Sequence, residues 1–192
     1  MARPPNPRIR ARLRDQAVDY VLSHGMADLA LRPLASALKT NARMLVYHFG
    51  SREGLMREIL TGLRERGDAR IQAWFQSGEK PRTLPQFLRW YWKHMSAPAA
   101  RPAIRLIFEL YARALRNPRE YPGVLEDPIA YWQKLTKKAG IASEADDAEA
   151  TLLLAATRGL LLDLCATGDR ARVGRALETL AQFAEWRAAS AK

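Results

Sequence analysis

Between residues 7 and 24 the apolar positions Ile9, Leu13, Ala17, Tyr20 and Val21 recur at steps of three and four, and Gly25 follows where a left-handed cap closes a helix. Residues 30–38, ALRPLASAL, place Leu31, Leu34, Ala35 and Leu38 at the same spacing. Pro33 is tolerated only in a first turn, so a short second helix begins near Leu31. Asn41 has the short polar side chain of an N-cap and predicts a third helix from about Ala42 to His48. Gly50 ends it, Ser51 caps the next helix, and Glu53 sits in a first turn where the helix dipole favours an acid. That fourth helix carries Leu55, Ile59 and Leu63 and continues toward Phe75, ending at SGEKP, residues 77–81.

Beyond Pro81 the pattern predicts helices over 83–95, 102–115, 124–140, 143–168 and 169–189, with no strand-like alternation and no repeat period. The fold class is therefore all-α. The last two helices are the most apolar, and the short link ATGDRA predicts an antiparallel hairpin with a face that can be buried against a second copy.

Composition narrows the function. At 192 residues and 48% apolar content the chain can fill a core without disulfides, and its single cysteine, Cys165, cannot form an internal one. With three histidines, no Cys/His pair at ligand spacing, no Glu-x-x-His pair and no Gly-rich phosphate loop, we expect no metal, no cofactor and no enzyme. The basic N-terminus lacks an apolar stretch of signal-peptide length, and Arg158 and Asp163 interrupt residues 152–165, so a cytoplasmic protein without a membrane span is expected.

Charge adds a partner. The net charge is +11, of which residues 1–64 carry +6 from 11 Lys/Arg against 5 Asp/Glu. Arg3, Arg8, Arg10, Arg12 and Arg14 precede the first acid, which suits an arm that meets phosphates and equally describes a solvated terminus.

Residues 31–38 and 42–48, joined by about three residues, have the spacing of a helix-turn-helix, whose second helix enters the major groove. At about 100° per residue, Arg43 and Tyr47 lie about 40° apart, whereas Leu45 lies about 160° from Arg43. Ala42, Leu45 and Phe49 then face a core, and Arg43, Val46 and Tyr47 face outward. An outward arginine reaches guanine O6 and N7, a valine a thymine methyl, and a tyrosine hydroxyl a phosphate. Arg52 would sit over the backbone beside exposed amides.

Residues 8–60 resemble the DNA-binding domain of the TetR family of transcriptional regulators. The resemblance lies in a basic first helix, Leu34-Ala35 where the family has Ile-Ala, and Leu45-Val46-Tyr47-His48-Phe49 followed by Ser51-Arg52-Glu53 and Leu55. The family's usual form is Leu-Tyr-x-His-Phe, then Ser-Lys-Glu and leucine. Val46 takes the usual tyrosine place with Tyr47 one step later, and Lys39-Thr40-Asn41 replaces the common Gly-Val-Ser.

The resemblance implies a DNA-binding domain over 1–50, with Arg8, Arg10, Lys39, Thr40, Asn41, Arg43, Val46, Tyr47, His48 and Arg52 toward double-stranded operator DNA. His48 is expected at a phosphate, with capping or packing beside Phe49 as the alternative. Residues 51–192 would form a helical effector-binding and dimerisation domain, joined through the long fourth helix, in a homodimer. An apolar or aromatic small molecule would enter among Trp90, Tyr91, His94, Arg105, Phe108, Tyr111 and Trp132, although aromatics at helical spacing equally describe a core. The dimer face is expected at Leu153, Arg158, Leu161, Leu177 and Phe183. The reading is a ligand-responsive repressor; the alternatives are a non-inducible or nucleoid-type DNA-binding protein and a helical protein-interaction module.

Overall fold

In a computed structural model, residues 6–26, 29–78, 80–124, 128–141 and 147–190 are described. The described residues form α1 (Pro7–His24), α2 (Leu31–Ala37), α3 (Ala42–Phe49), α4 (Arg52–Gln76), α5 (Leu84–Met95), α6 (Arg101–Arg116), α7 (Pro128–Lys138), α8 (Asp147–Thr167) and α9 (Arg170–Ser190). Single 3-10 turns at Pro98–Ala100 and Pro118–Glu120 precede and follow α6. Arg3 and the expected helical residues 125–127 and 143–146 lie outside the described residues.

Local chemistry sets most boundaries. Asn6 Oδ1 accepts the Arg8 amide at 3.0 Å with Pro7 opening α1, and Gly25 closes it at φ 75°. Asn41 Oδ1 accepts the Met44 amide at 2.9 Å to start α3. Asp169 Oδ1 accepts the Arg172 amide at 3.0 Å to start α9, one residue after Gly168 turns the chain at φ 71°. Val124, where the pattern predicts the start of this helix, is not helical, and α7 is described from Pro128.

The chain divides into two compact units. The first comprises the described residues through Gln72 together with those from Arg105 to Val124. Its core joins Leu13, Ala17 and Val21 of α1, Leu34 of α2, Leu45 and Phe49 of α3, Leu55 and Ile59 of α4, and Leu106, Leu110 and Ala114 of α6. This unit is larger than the expected 1–50. Three short helices alone present too little surface for a closed core, and residues of α4 and α6 join the same cluster.

The second unit comprises Ala73–Ile104 and the described residues from Pro128 onward. In it α9 packs against α5 and α8, and α7 against α8. Arg89 of α5 binds Glu178 and Glu185 of α9, which draws the Glu178 carboxyl below its ordinary value. Arg172 grips both oxygens of Asp163 at 2.8 Å across the α8–α9 turn.

Among the described residues, α8 is the one helix long and apolar enough to cross a membrane, with a mean hydropathy of 1.4. Leu153, Leu154, Leu161 and Leu164 are buried within the protein instead. Asp163, at the same helix's end, is ion-paired.

The α2–α3 turn carries a backbone cost. Lys39 adopts φ 53°, the left-handed conformation that a glycine takes freely, while its amide donates to the Ser36 carbonyl at 3.0 Å and Thr40 donates to Ala35 at 2.9 Å. Lys39→Gly should raise stability by about 0.5–1 kcal/mol and Lys39→Val lower it by about 1 kcal/mol or more, read from urea midpoints at constant slope.

Candidate nucleic-acid interface

The candidate interface consists of α3 and its two caps. Leu45 is fully buried and Phe49 nearly so, which fixes the rotation of the helix about its axis. Arg43 is exposed on the opposite side, and Val46 and Tyr47 are 39% and 40% exposed, with Met44 beside them. Lys39 and Asn41 are exposed and Thr40 half-buried at the entry to the helix. The outward face expected of Arg43, Val46 and Tyr47 is therefore formed.

At the other end Gly50 turns the chain at φ 80° and Ser51 Oγ accepts the Gly54 amide at 3.0 Å. Glu53's own backbone amide, then the Ser51 hydroxyl, hydrogen-bond its carboxylate and hold it below the ordinary value. Arg52 is exposed in this first turn of α4. Gly54 is a residue whose role periodicity did not disclose: a Cβ there would lie 2.1 Å from the Phe49 carbonyl oxygen, so only glycine lets α4 start this close to the end of α3.

His48 departs from its expected place toward DNA. It is 5% exposed, turned inward with Phe49, and its ring meets Tyr47 edge-on at 5.2 Å between centroids. It lines a cleft of about 360 Å³ with Pro7, Arg10, Ala11, Arg14 and Glu58, and neither ring nitrogen has a hydrogen-bond partner among the described residues. One residue along a helix rotates a side chain by about 100°, so His48 follows the buried side of α3 while Tyr47 follows the exposed one. Arg10 is likewise engaged: it forms an ion pair with Glu58 and lies 5.8 Å over the Phe49 ring. Arg8 is exposed in the first turn of α1.

The residues expected around an effector divide between the units. Arg105 is exposed and Phe108 and Tyr111 are half-buried in the first unit. In the second, Trp90 stacks on Phe75 at 4.6 Å and on Phe87 at 5.9 Å, while Trp132 meets Phe87 and Tyr91 edge-on at 5.2 and 5.4 Å. His94 stacks on Trp74 at 4.6 Å, and Lys138 lies 5.9 Å over Phe75. Trp74, Phe75 and Phe87 join this cluster through tertiary packing and were not among the expected residues.

The hairpin face also differs from expectation. Leu153, Leu161 and Leu177 are buried within their own chain and Arg158 is half-buried, whereas Phe183 is exposed. The apolar residues left outward are Leu152 and Leu162 of α8 and Phe183 and Trp186 of α9, the last 62% exposed. The inner and outer faces of α8 differ by a single residue step, which periodicity alone resolves poorly.

The described residues place an N-terminal helix-turn-helix, a motif whose second helix can enter a DNA major groove, before an all-helical second unit. The chain has the TetR-like fold. The multidrug binding protein EbrR, solved with imidazole, is 27% identical, with 95% of this chain and 93% of that chain covered and a TM-score of 0.68. EbrR solved with proflavin is 26% identical, with 90% and 98% covered and a TM-score of 0.62. A TetR-like transcriptional regulator from Rhodococcus sp. RHA1 is 21% identical, with 99% and 100% covered and a TM-score of 0.60. No protein-family model and no curated protein sequence matches the chain. What the chain shares with these neighbours is the fold.

Burial, and then the charge of Lys93, lower the pKa of His94 from its ordinary 6.5. As pH falls below 6.5 the unfolded chain takes up this proton before the folded one, so stability should fall until the folded imidazole also protonates. Thermal melting between about pH 5 and 7 should show this slope, and His94→Phe should flatten it.

Proposed function

We propose that the protein is a homodimeric transcriptional regulator, a repressor whose two α3 helices read the halves of a palindromic operator and whose affinity responds to an apolar or aromatic small molecule. The observation that carries this is the outward Arg43, Val46 and Tyr47 on a helix held by Leu45 and Phe49, with Lys39, Asn41 and Arg52 at its ends. Arg43 serves as the base reader, Val46 as an apolar contact, and Tyr47, Thr40, Asn41, Lys39, Arg52 and Arg8 as backbone contacts. Arg10 is offered to phosphates only when Glu58 releases it, and His48 supports α3 from within.

The effector site is assigned to the aromatic cluster around Trp90, Tyr91, His94 and Trp132. EbrR's complexes with imidazole and proflavin support a planar aromatic ligand. Trp74 and Phe75 belong to the last turns of α4, the helix whose first turns place Leu55 and Ile59 in the core around Leu45. A ligand that displaces this helix alters the separation of the two recognition helices. Operator affinity falls when that separation departs from one helical turn, some 34–36 Å.

Dimerisation is assigned to the outer face of the hairpin. On α8, Leu152, Ala155, Gly159, Leu162 and Ala166 are outward within one stripe, and Phe183 and Trp186 pair at 5.9 Å on α9. Small residues between apolar ones allow two hairpins to approach closely, and a two-fold interface reuses the same patch. Phe183→Asp and Trp186→Asp should each convert dimer to monomer in sedimentation; an unchanged dimer would place the interface elsewhere.

Arg43→Ala should cost about 1–3 kcal/mol and relax preference at one base pair, whereas Arg52→Ala should weaken all duplexes alike and flatten the salt dependence. Both are measured by titrating duplexes selected from genomic fragments against random duplex. Equal losses on both for Arg43→Ala would remove it as a base reader. A wild-type protein with no preferred fragment would instead favour a nucleoid-type or protein-interaction role.

A further inference from the structure

The core of the DNA-binding unit contains a helix from far along the chain. Leu106, Leu110 and Ala114 of α6 are buried in the same cluster as Leu13, Val21, Leu34 and Leu45. From this buried face Glu109 reaches the junction between α1 and α2. Its Oε2 accepts the backbone amide of Met26 at 2.9 Å, a hydrogen bond between residues 83 apart in sequence. Its Oε1 is held by Arg113 Nε at 3.1 Å, and Arg113 is also hydrogen-bonded to the side chain of Tyr121, itself buried in that core.

The junction is shaped to receive this carboxylate. Gly25 has φ 75°, and a Cβ there would lie 2.8 Å from Glu109 Oε2, so a larger residue would press on the oxygen that Met26 binds. Met26 is itself fully buried, and its carbonyl accepts the Leu29 amide at 3.3 Å just before α2 begins. A carboxylate at the C-terminal end of α1 stands against the helix dipole and gains nothing from it. It is retained by directed bonds to one amide and one guanidinium. These bonds specify where α1 ends and α2 starts, and α2 carries α3 through a turn of four residues.

We infer that Glu109 is a positioning residue for DNA recognition: it locks the α1–α2 junction, and through it the helix-turn-helix, to α6. The inference rests on the regulator reading above and adds a second connection beside α4. A hydrogen bond to a carboxylate is lost when its atoms separate by about 1 Å, so a displacement of α6 of that size releases the junction. The recognition helix then loses its orientation while the apolar core around Leu45 remains closed.

The test compares Glu109→Ala, Glu109→Gln and, as a control on the exposed side of the same helix, Leu115→Ser. The probe is the duplex that the wild-type dimer selects from a random-sequence pool, titrated well below the melting temperature of every variant. Glu109→Ala should bind it about tenfold more weakly or worse, as removal of an acceptor for a buried amide requires. Glu109→Gln keeps an acceptor for Met26 and should recover most of that loss, while Leu115→Ser should bind as wild type does. Amide hydrogen exchange should speed up at Met26 and across α2 and α3 in Glu109→Ala. A Glu109→Ala protein that melts lower, yet binds the selected duplex normally with unchanged exchange in α2 and α3, would overturn the inference and make Glu109 structural only. A wild-type protein that selects no duplex would overturn the regulator reading itself, and the recognition role with it.

Discussion

The burial of Leu45 and Phe49 is the constraint on which the rest of the recognition unit depends. An eight-residue helix has too few internal hydrogen bonds to persist alone, so α3 exists because its apolar side is buried in the core it shares with α1, α2 and α4. Enclosure also fixes rotation. With Leu45 and Phe49 inward, Arg43, Val46 and Tyr47 have no choice but to face outward, and His48 is drawn inward with Phe49. Gly54 and the Ser51 cap then let α4 begin directly against the end of α3.

The second unit is organised by different means. Its helices are long enough to persist, and polar bonds at the ends of elements set their register: Arg89 to Glu178 and Glu185, Arg172 to Asp163, and Arg170 to the Ser96 carbonyl at 2.7 Å. Between them lies a dense set of aromatic rings whose stacking is partly exposed at Trp74, Trp90 and Tyr91. The proposed effector site uses this face of stacked rings with its half-buried histidine. The proposed dimer face uses the outward Phe183 and Trp186.

Both of these surfaces were only partly legible beforehand, and for the same reason. Periodicity assigns a helical face to within about one residue, or about 100°. That tolerance separates Leu152 from Leu153 and Leu162 from Leu161, and it separates Tyr47 from His48. Trp74 and Phe75 were read as the end of a helix, since their neighbours Trp90 and His94 lie in another element. Glu109 carried no local signal at all: its partner Met26 is 83 residues away.

The sequence by itself determined the all-α class, most helix limits, and the helix-turn-helix with its outward Arg43, because caps such as Asn41, Ser51, Gly25 and Gly50 act within a few residues of where they stand. It also determined the strained turn at Lys39, where a side chain occupies a glycine's conformation. Tertiary structure alone decided that the core of the first unit recruits α6, that His48 turns inward, that Arg10 is held by Glu58, and which apolar side chains of the last hairpin remain outward. These outcomes depend on which surfaces meet, and that is settled by packing between segments distant in the chain rather than by the period of any one of them.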